Sequence, residues 1–386
     1  MKILGFQFGK EIVQEVKEPN YTSHSLAIIK PKGPSNVPLD DEQLSNGKYI
    51  TFGIDDLFPQ QLINLFQGSA LHASCITQRA RFIAGSGIEF DSQDSVALKL
   101  LEQPNQWQNL QDLIDEISLD QSLFGAYALE LTWDLSKTKI ISIKRVTVEG
   151  LRSGDLIDGK VVTFYHYPIF NSRRRNYQET IYNAYDPKSN NRIELLYVPN
   201  KIPGQRFYGM PHYISGLQLV EASGNISVFI NSLINNGFSP SMIVKLFRDF
   251  ASREDADTYI RQMVKSYSSA SNAGKAMVLT SSSKENSPEI VFPSGKGMAD
   301  MFLSVEESIN RSIVMAHSAV PEIFNLQVAG GLNSSEISQK YSIFLNNVIF
   351  PNQEKILRTF NNILKLNGST SKMKIVNKDF FSKSLI

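Results

Sequence analysis

Residues 211–236 read PHYISGLQLVEASGNISVFINSLINN, and the following Gly237 closes the segment. Ile214, Leu217, Val220, Ile226, Phe229 or Ile230, and Leu233 recur at helical spacing and mark an apolar stripe. Asn236-Gly237 supplies the stop. The opposite side carries Ser215, Gln218, Ser223, Asn225, Ser227, Asn231 and Asn235, and Glu221 is the segment's only Asp, Glu, Lys or Arg. A surface helix ordinarily carries oppositely charged pairs on its wet side. Two readings fit a polar side without them. The helix is buried within one domain, or its polar side packs against neighbours or lines a passage.

Upstream of this helix, residues 1–30 are short alternating pieces, and Pro31, Gly33, Pro34 and Pro38 make the next stretch a loop. The spacing of Leu62, Leu65, Phe66, Ala70, Ala73, Ile76 and Ala80 predicts a single helix over Phe58–Ser86, opened by Pro59 and stopped by Gly85 and Gly87. A second helix is predicted over Asn109–Leu123. From Gly125 the pattern changes to strands: 126–133, 140–148, 161–167, 179–185 and 194–198. Ser153-Gly154-Asp155 and Asp158-Gly159 read as turns, and Arg173–Arg175 as a solvated hairpin tip. This half is an α+β unit ending near Gly209.

Downstream, Met242–Phe247 and Ala276–Leu279 read as strands around a charged helix over Ser252–Tyr267, which Ser252 and Asp255 cap weakly. Helix returns over Met298–Ser318. A glycine-bearing loop, Gln327–Ser335, leads into a long amphipathic helix that Pro351 interrupts and Gly368 ends. Residues 369–386 form a basic tail with one strand. There is no internal repeat.

Composition narrows the chemistry. The 386 residues correspond to roughly two to three domain-sized units. With 39 Lys and Arg against 38 Asp and Glu, the net charge of +1 argues against a tight grip on phosphates. One cysteine, Cys75, allows neither an intrachain disulfide nor a cysteine metal site, and reads as buried packing. No signal-like leader and no membrane-length apolar run appears, so the expectation is a soluble protein made in a reducing compartment without a membrane partner.

Motifs for catalysis fail one by one. Gly274-Lys275 and Gly295-Lys296 have Ser269 and Ile290 where a phosphate loop needs glycine, and no Ser or Thr follows either lysine. His24, His72, His166, His212 and His317 have no partner histidine at helical-turn spacing, so each alone reads as a packed or surface imidazole. Asp55-Asp56, Asp115-Glu116 and Glu306-Glu307 read as helix faces or caps. No metal, cofactor or catalytic residue is expected, and the chain reads as a non-enzyme.

Five blocks in order resemble those of phage portal proteins. Leu123-Phe-Gly-Ala-Tyr-Ala-Leu-Glu130 is similar to that family's helix-to-strand step, and Arg206-Phe-Tyr-Gly-Met-Pro211 to the aromatic-Tyr-Gly-x-Pro approach to its central helix. Asn235-Asn-Gly-Phe-Ser-Pro240 resembles the signature closing that helix, and Ser271-Asn-Ala-Gly-Lys-Ala-Met-Val-Leu279 a following block. Val320-Pro-Glu-Ile-Phe324 is similar to a step after the second long helix, with Glu322 in place of the commoner second proline.

The resemblance implies an α+β portal-protein fold with an α/β wing, long stem helices, a small α/β clip and a short helical crown. Its parts would be an N-terminal arm (1–30), wing (31–210 and 319–350), stem helices (211–237 and 298–318), clip (238–297) and a crown or tail (351–386). It implies a dodecameric homo-oligomeric ring at one capsid vertex of a virion, assembled in the host cytoplasm. Double-stranded DNA would pass without sequence specificity, and the terminase large subunit, major capsid protein and neck or adaptor proteins would be partners. Another head-to-tail connector or a minor capsid component is the alternative.

Candidate residues follow from that assignment. The tunnel loop would present Gln327, Gly330, Gly331, Asn333, Ser334 and Ser335, uncharged groups on a freely moving backbone. Ser334 or Ser335 would also serve as an ordinary helix cap. Gln218, Asn225, Asn231 and Asn235 would be the polar side of the first stem helix, and Arg253, Arg261, Lys265, Lys284 and Glu285 the motor contacts of the clip.

Overall fold

The computed structural model describes residues 48–377 apart from 54, 93, 155, 168–177, 236–242, 248–253, 256, 260–276, 282–294 and 322–333. They fall into two compact units: a larger one from the described residues of Gly33–Ser227 and Met301–Ile386, and a smaller one from those of Val228–Asp300.

The helix expected over Phe58–Ser86 is two helices, α1 (Phe58–Gly68) and α2 (Ala70–Ala84). The chain turns at Ser69, whose backbone is extended and whose side chain caps α2 by accepting from the His72 N–H. A serine competes with helix for its own backbone, and a preceding glycine costs little to bend, so Gly68-Ser69 outweighs the continuous apolar spacing. Pro59 opens α1 as expected. After strand β1 (Gly87–Phe90), a short helix that the spacing did not reveal, α3 (Ser95–Glu102), starts on an Asp94 cap. Helix α4 (Leu110–Phe124) starts on an Asn109 cap and matches the expected span within a residue.

Five strands fall near their expected places: β2 (Ala126–Trp133), β3 (Ile140–Val146), β7 (Thr163–His166), β8 (Thr180–Ala184) and β9 (Ile193–Pro199). Three short ones, β4 (Leu151–Ser153), β5 (Leu156–Ile157) and β6 (Lys160–Val161), were not expected, and Ser153 ends β4 where a turn was read. Six of these eight form one sheet in the order β3-β2-β9-β8-β7-β4, antiparallel except for the β8–β9 pair. The β5–β6 hairpin turns at Asp158 and Gly159, both with positive φ, which a two-residue hairpin turn of this hand requires. The Arg173–Arg175 tip lies outside the described residues.

Helix α5 (Leu217–Asn235) starts later than the expected Pro211, after a single 3-10 turn at Ile214–Gly216. In the smaller unit, β10 (Ile243–Phe247) pairs in parallel with β11 (Met277–Ser281), both near their expected places. Glu254, Asp255 and 257–259 are helical, and the rest of the helix expected over Ser252–Tyr267 lies outside the described residues. Helix α6 (Gly295–Ala316) brings the chain back to the larger unit.

The last helices correct a second expectation. α7 (Ser334–Phe344) and α8 (Phe350–Leu366) are joined by a helical π turn at Leu345–Ile349 and not broken at Pro351. Proline lacks an N–H and crowds the preceding turn. A wider turn just before it, closed by the Phe350 N–H on Leu345 O, absorbs the mismatch. The tail strand β12 (Met373–Val376) then pairs antiparallel with β1.

The main core lies between α4, the α4-facing side of β2, and α8. Leu110, Leu113, Ile114 and Ile117 form one buried cluster with Tyr127, Leu129 and Leu131 of β2 and Ile356, Phe360 and Ile363 of α8. Ala128 points to the opposite side of β2 and packs with Val146, Phe164 and Leu195. A strand buried on both faces reads as a near-continuous apolar run, as Ala126-Tyr-Ala-Leu does.

Candidate functional site

The two best-formed sequence blocks meet in space. Helix α4 ends at Gly125, in left-handed conformation with φ 73°, where a Cβ would overlap the Met210 carbonyl. On the facing segment, a Cβ at Gly209 would stand 2.8 Å from the Ala126 Cβ. Glycine at both positions lets backbone pack on backbone, and Asn200 stitches the contact: its N–H donates to Gly125 O at 2.7 Å and its carbonyl accepts from the Met210 N–H at 3.0 Å. The aromatic residues of the same blocks fix the chain path. The Tyr208 ring stacks on Phe52 with centroids 4.0 Å apart, its hydroxyl donates to Ile50 O, and it accepts the Ser153 N–H at 3.0 Å. The Gly209 N–H donates to the Tyr197 hydroxyl at 2.9 Å, and Tyr213 donates to Leu123 O at 2.6 Å. This junction sets where the chain leaves for α5.

Small residues root the two long helices. A Cβ at Gly216 would come within 2.6 Å of the Ala316 Cβ, so the turn before α5 rests directly on the end of α6. One at Gly224 would stand 3.2 Å from Gly68 O, and Ser223 Oγ lies 3.1 Å from Ser69 Oγ. Leu217 and Val220 are buried, whereas Gln218, Asn225, Ser227 and Asn231 are exposed. The first reading holds for part of the helix: Gly216, Ser223 and Gly224 pack inside the larger unit, while the amides of Gln218, Asn225 and Asn231 are exposed. Gln218 and Asn225 share a face, while Asn231 lies about 120° round from Asn225 on a 3.6-residue helix.

At the same roots, the structure assembles three histidines that the sequence left apart. His72 of α2, His212 just ahead of α5 and His317 just beyond α6 stand in series: His72 Nδ1 is 2.9 Å from His317 Nε2, and His317 Nδ1 is 3.0 Å from His212 Nε2. The Tyr213 ring stacks on His317 at 5.0 Å and meets His72 edge-on at 4.6 Å. Burial holds all three imidazoles below their ordinary range, His72 down to about 4, and the nearby Arg79 guanidinium depresses His212 and His317 further. The nitrogens face one another and not a common centre, and no group suited to a metal ion occurs among the described residues. No spacing signal pointed to this cluster, because its members come from three separate helix ends.

Of the paired carboxylates, Asp55-Asp56 hold the chain ahead of α1, and Asp115-Glu116 lie on an exposed face of α4. Asp56 binds the fully buried Arg152 at 2.5 Å, and Asp55 accepts the Leu57 N–H. Asp115 accepts from Gln111 and Glu116 from Gln108. Asp120 and Glu194, both buried, hold Arg145 and Lys137 respectively. Cys75 is buried beside Val314, and burial pushes its thiol up to about 12.

Of the candidate tunnel residues, Ser334 and Ser335 open α7, and Gln327, Gly330, Gly331 and Asn333 lie outside the described residues. Asn235 ends α5. Arg253, Arg261, Lys265, Lys284 and Glu285 lie outside the described residues, as does Glu322.

Comparison with known proteins follows the same segments. The family described as phage portal protein matches residues 73–377. Among solved structures, the chain resembles one from the neck of an empty GTA particle computed with C6 symmetry, with a TM-score of 0.56, 16% identity, and coverage of 85% of this chain and 86% of that one. It resembles one from the neck of a native GTA particle computed with C12 symmetry, with a TM-score of 0.54, 18% identity, and coverage of 82% and 83%. An uncharacterized protein of Rickettsia bellii (strain RML369-C) is 23% identical over 340 residues, spanning 84% of this chain and 80% of the relative. Identities this low speak for the fold alone.

Proposed function

Since the chain belongs to the phage portal protein family, we propose that it is a structural, non-catalytic subunit of a ring at one capsid vertex. The observation that carries this is the family match over residues 73–377, which takes in the glycine junction, both long helices and the core. The C12 symmetry of a neck whose chain it resembles supports twelve copies.

In this reading, residues 1–210 and 319–350 form arm and wing, α5 and α6 are the stem, and 238–297 are the clip that meets the terminase large subunit and later the neck proteins. The exposed, uncharged Gln218 and Asn225, which share a face, suit a surface beside moving DNA, since amides hydrate well and do not trap phosphates. Gln327–Ser335 is the tunnel loop, with Gly330-Gly331 as its pivot, and Arg253, Arg261, Lys265, Lys284 and Glu285 are motor contacts. The particle is a virion or a related capsid, built in the host cytoplasm.

Negative-stain imaging and native mass spectrometry of the purified chain test the ring. A closed ring with a central channel is the expected result; a monomer at every concentration and salt would overturn it. A second test addresses the loop. Deleting Gly330–Ser335 should spare ring assembly and impair packaging or DNA retention, and intact packaging would remove the loop assignment. A short-lived or open assembly that binds only after capsid filling would favour the alternative, a head-to-tail connector.

A further inference from the structure

The three imidazoles at the helix roots constrain one another's protons. Each inter-ring contact, His72 Nδ1 to His317 Nε2 and His317 Nδ1 to His212 Nε2, needs one proton between its two nitrogens. Three neutral rings carry three protons, so two fill the contacts and the third sits on an outer nitrogen, either His72 Nε2 or His212 Nδ1. His72 Nε2 is buried without a hydrogen-bond partner among the described residues. A proton there would be an orphaned buried N–H, among the rarest groups in folded proteins. The neutral chain is thereby polarised: His72 Nδ1–H donates to His317, His317 Nδ1–H donates to His212, and half-buried His212 keeps its outer N–H.

An added proton has no good place. On His72 Nε2 it makes a buried, unpaired cation; anywhere else it sets two N–H groups against each other and breaks a contact. A fifth proton breaks a contact in every arrangement. The surroundings add to the penalty. From α2 comes the Arg79 guanidinium, whose Nη1 is itself buried without a partner among the described residues, and the neutral thiol of Cys75. From the turn before α5 comes the Tyr213 phenol, which is committed to Leu123 O. From α8, Lys355 adds its positive charge to the field around Arg79. Among the described residues, no carboxylate is among the groups acting on the three rings.

The elements so joined are α2, the chain just ahead of α5 and the chain just beyond α6, where Gly216 rests on Ala316. We propose that His72, His212 and His317 form a proton-sensitive latch that ties the roots of both long helices to α2 while neutral and frees them together when protonated. The latch rests on the geometry of the larger unit and not on the portal reading, so a failed ring assay and a failed latch assay are separate results.

Hydrogen exchange by mass spectrometry on the full chain tests it, at about pH 7.5 and about pH 5.5, with times scaled for the intrinsic pH dependence of amide exchange. Peptides covering 211–220 and 310–319 should lose protection by roughly tenfold more than a peptide from β2 at the lower pH. Equal changes in all three peptides would overturn the latch. The His72→Gln/His317→Gln double variant keeps donors and acceptors but cannot titrate, so its root peptides should lose the extra pH response, while His166→Gln should keep it. A double variant that folds and responds like the parent would also overturn the proposal. Should it not fold, the parent-chain exchange decides alone.

Discussion

The core between α4, β2 and α8 and the junction at the roots of α5 and α6 belong to one compact unit, yet opposite chemistry holds them. The core is apolar and interlocked, with Leu110, Leu113, Tyr127, Phe360 and Ile356 all fully buried. The junction is built from glycines, serines and three imidazoles in hydrogen-bonded series. Apolar burial is proportional to area and indifferent to pH. A hydrogen-bonded imidazole chain is directional and depends on its proton count. The difference teaches where this molecule has been made rigid and where its stability has been left conditional.

The largest effect should come from the core. Phe360→Ala removes a fully buried ring at the centre of the α8 face and should cost about 3–5 kcal/mol, read by urea unfolding, with no change in pH dependence. If the loss grew with acid, core and junction would not be separable. Gly125→Ala tests the glycine contact beside the core. The left-handed backbone and the overlap with the Met210 carbonyl together should cost roughly 2–4 kcal/mol, and Gly125→Asn should recover none of the overlap.

Acidification separates the two regions most directly. An imidazole whose folded pKa is depressed lends stability that is complete above its unfolded value near 6.5 and lost as pH falls towards the folded value. The unfolded chain takes up the proton first, so stability must rise with pH over that window. For His72 the window runs from about 6.5 down to about 4. Each ring titrating in this way contributes a slope of about 1.4 kcal/mol per pH unit. Stability measured across this range should therefore fall on the acid side in the parent and less steeply in His72→Gln. A flat profile in the parent would leave the junction no different from the core. The smallest effect is expected at Ser69→Ala, which removes the α2 cap and the contact with Ser223, at ~1 kcal/mol.

Much of the architecture was legible because it is local. Strands β2, β3, β7, β8 and β9, helix α4 and the Asp158-Gly159 turn follow from alternation, helical spacing and turn chemistry in contiguous residues. Two helix boundaries were misread where a local signal met a competing one. Gly68-Ser69 broke a continuous apolar spacing, and a π turn carried the helix through Pro351. Helix α3 passed unseen because it is short and was preceded by a cap, Asp94, with no long periodic run behind it. The candidate tunnel and motor residues are assignments from family likeness, and all but Ser334 and Ser335 lie outside the described residues.

The sequence by itself determined most of the strands of the large sheet, the nearly uncharged character of the helix at 211–236 and, through five ordered blocks, the family. Each depends on which residues follow one another. Only the tertiary structure decided that Gly125 and Gly209 share one contact, that Leu217 and Val220 of the nearly uncharged helix are buried while Gln218 and Asn225 are exposed, and that His72, His212 and His317 form a series. These depend on distances across folded space, which packing of the whole unit sets and no spacing along the chain encodes.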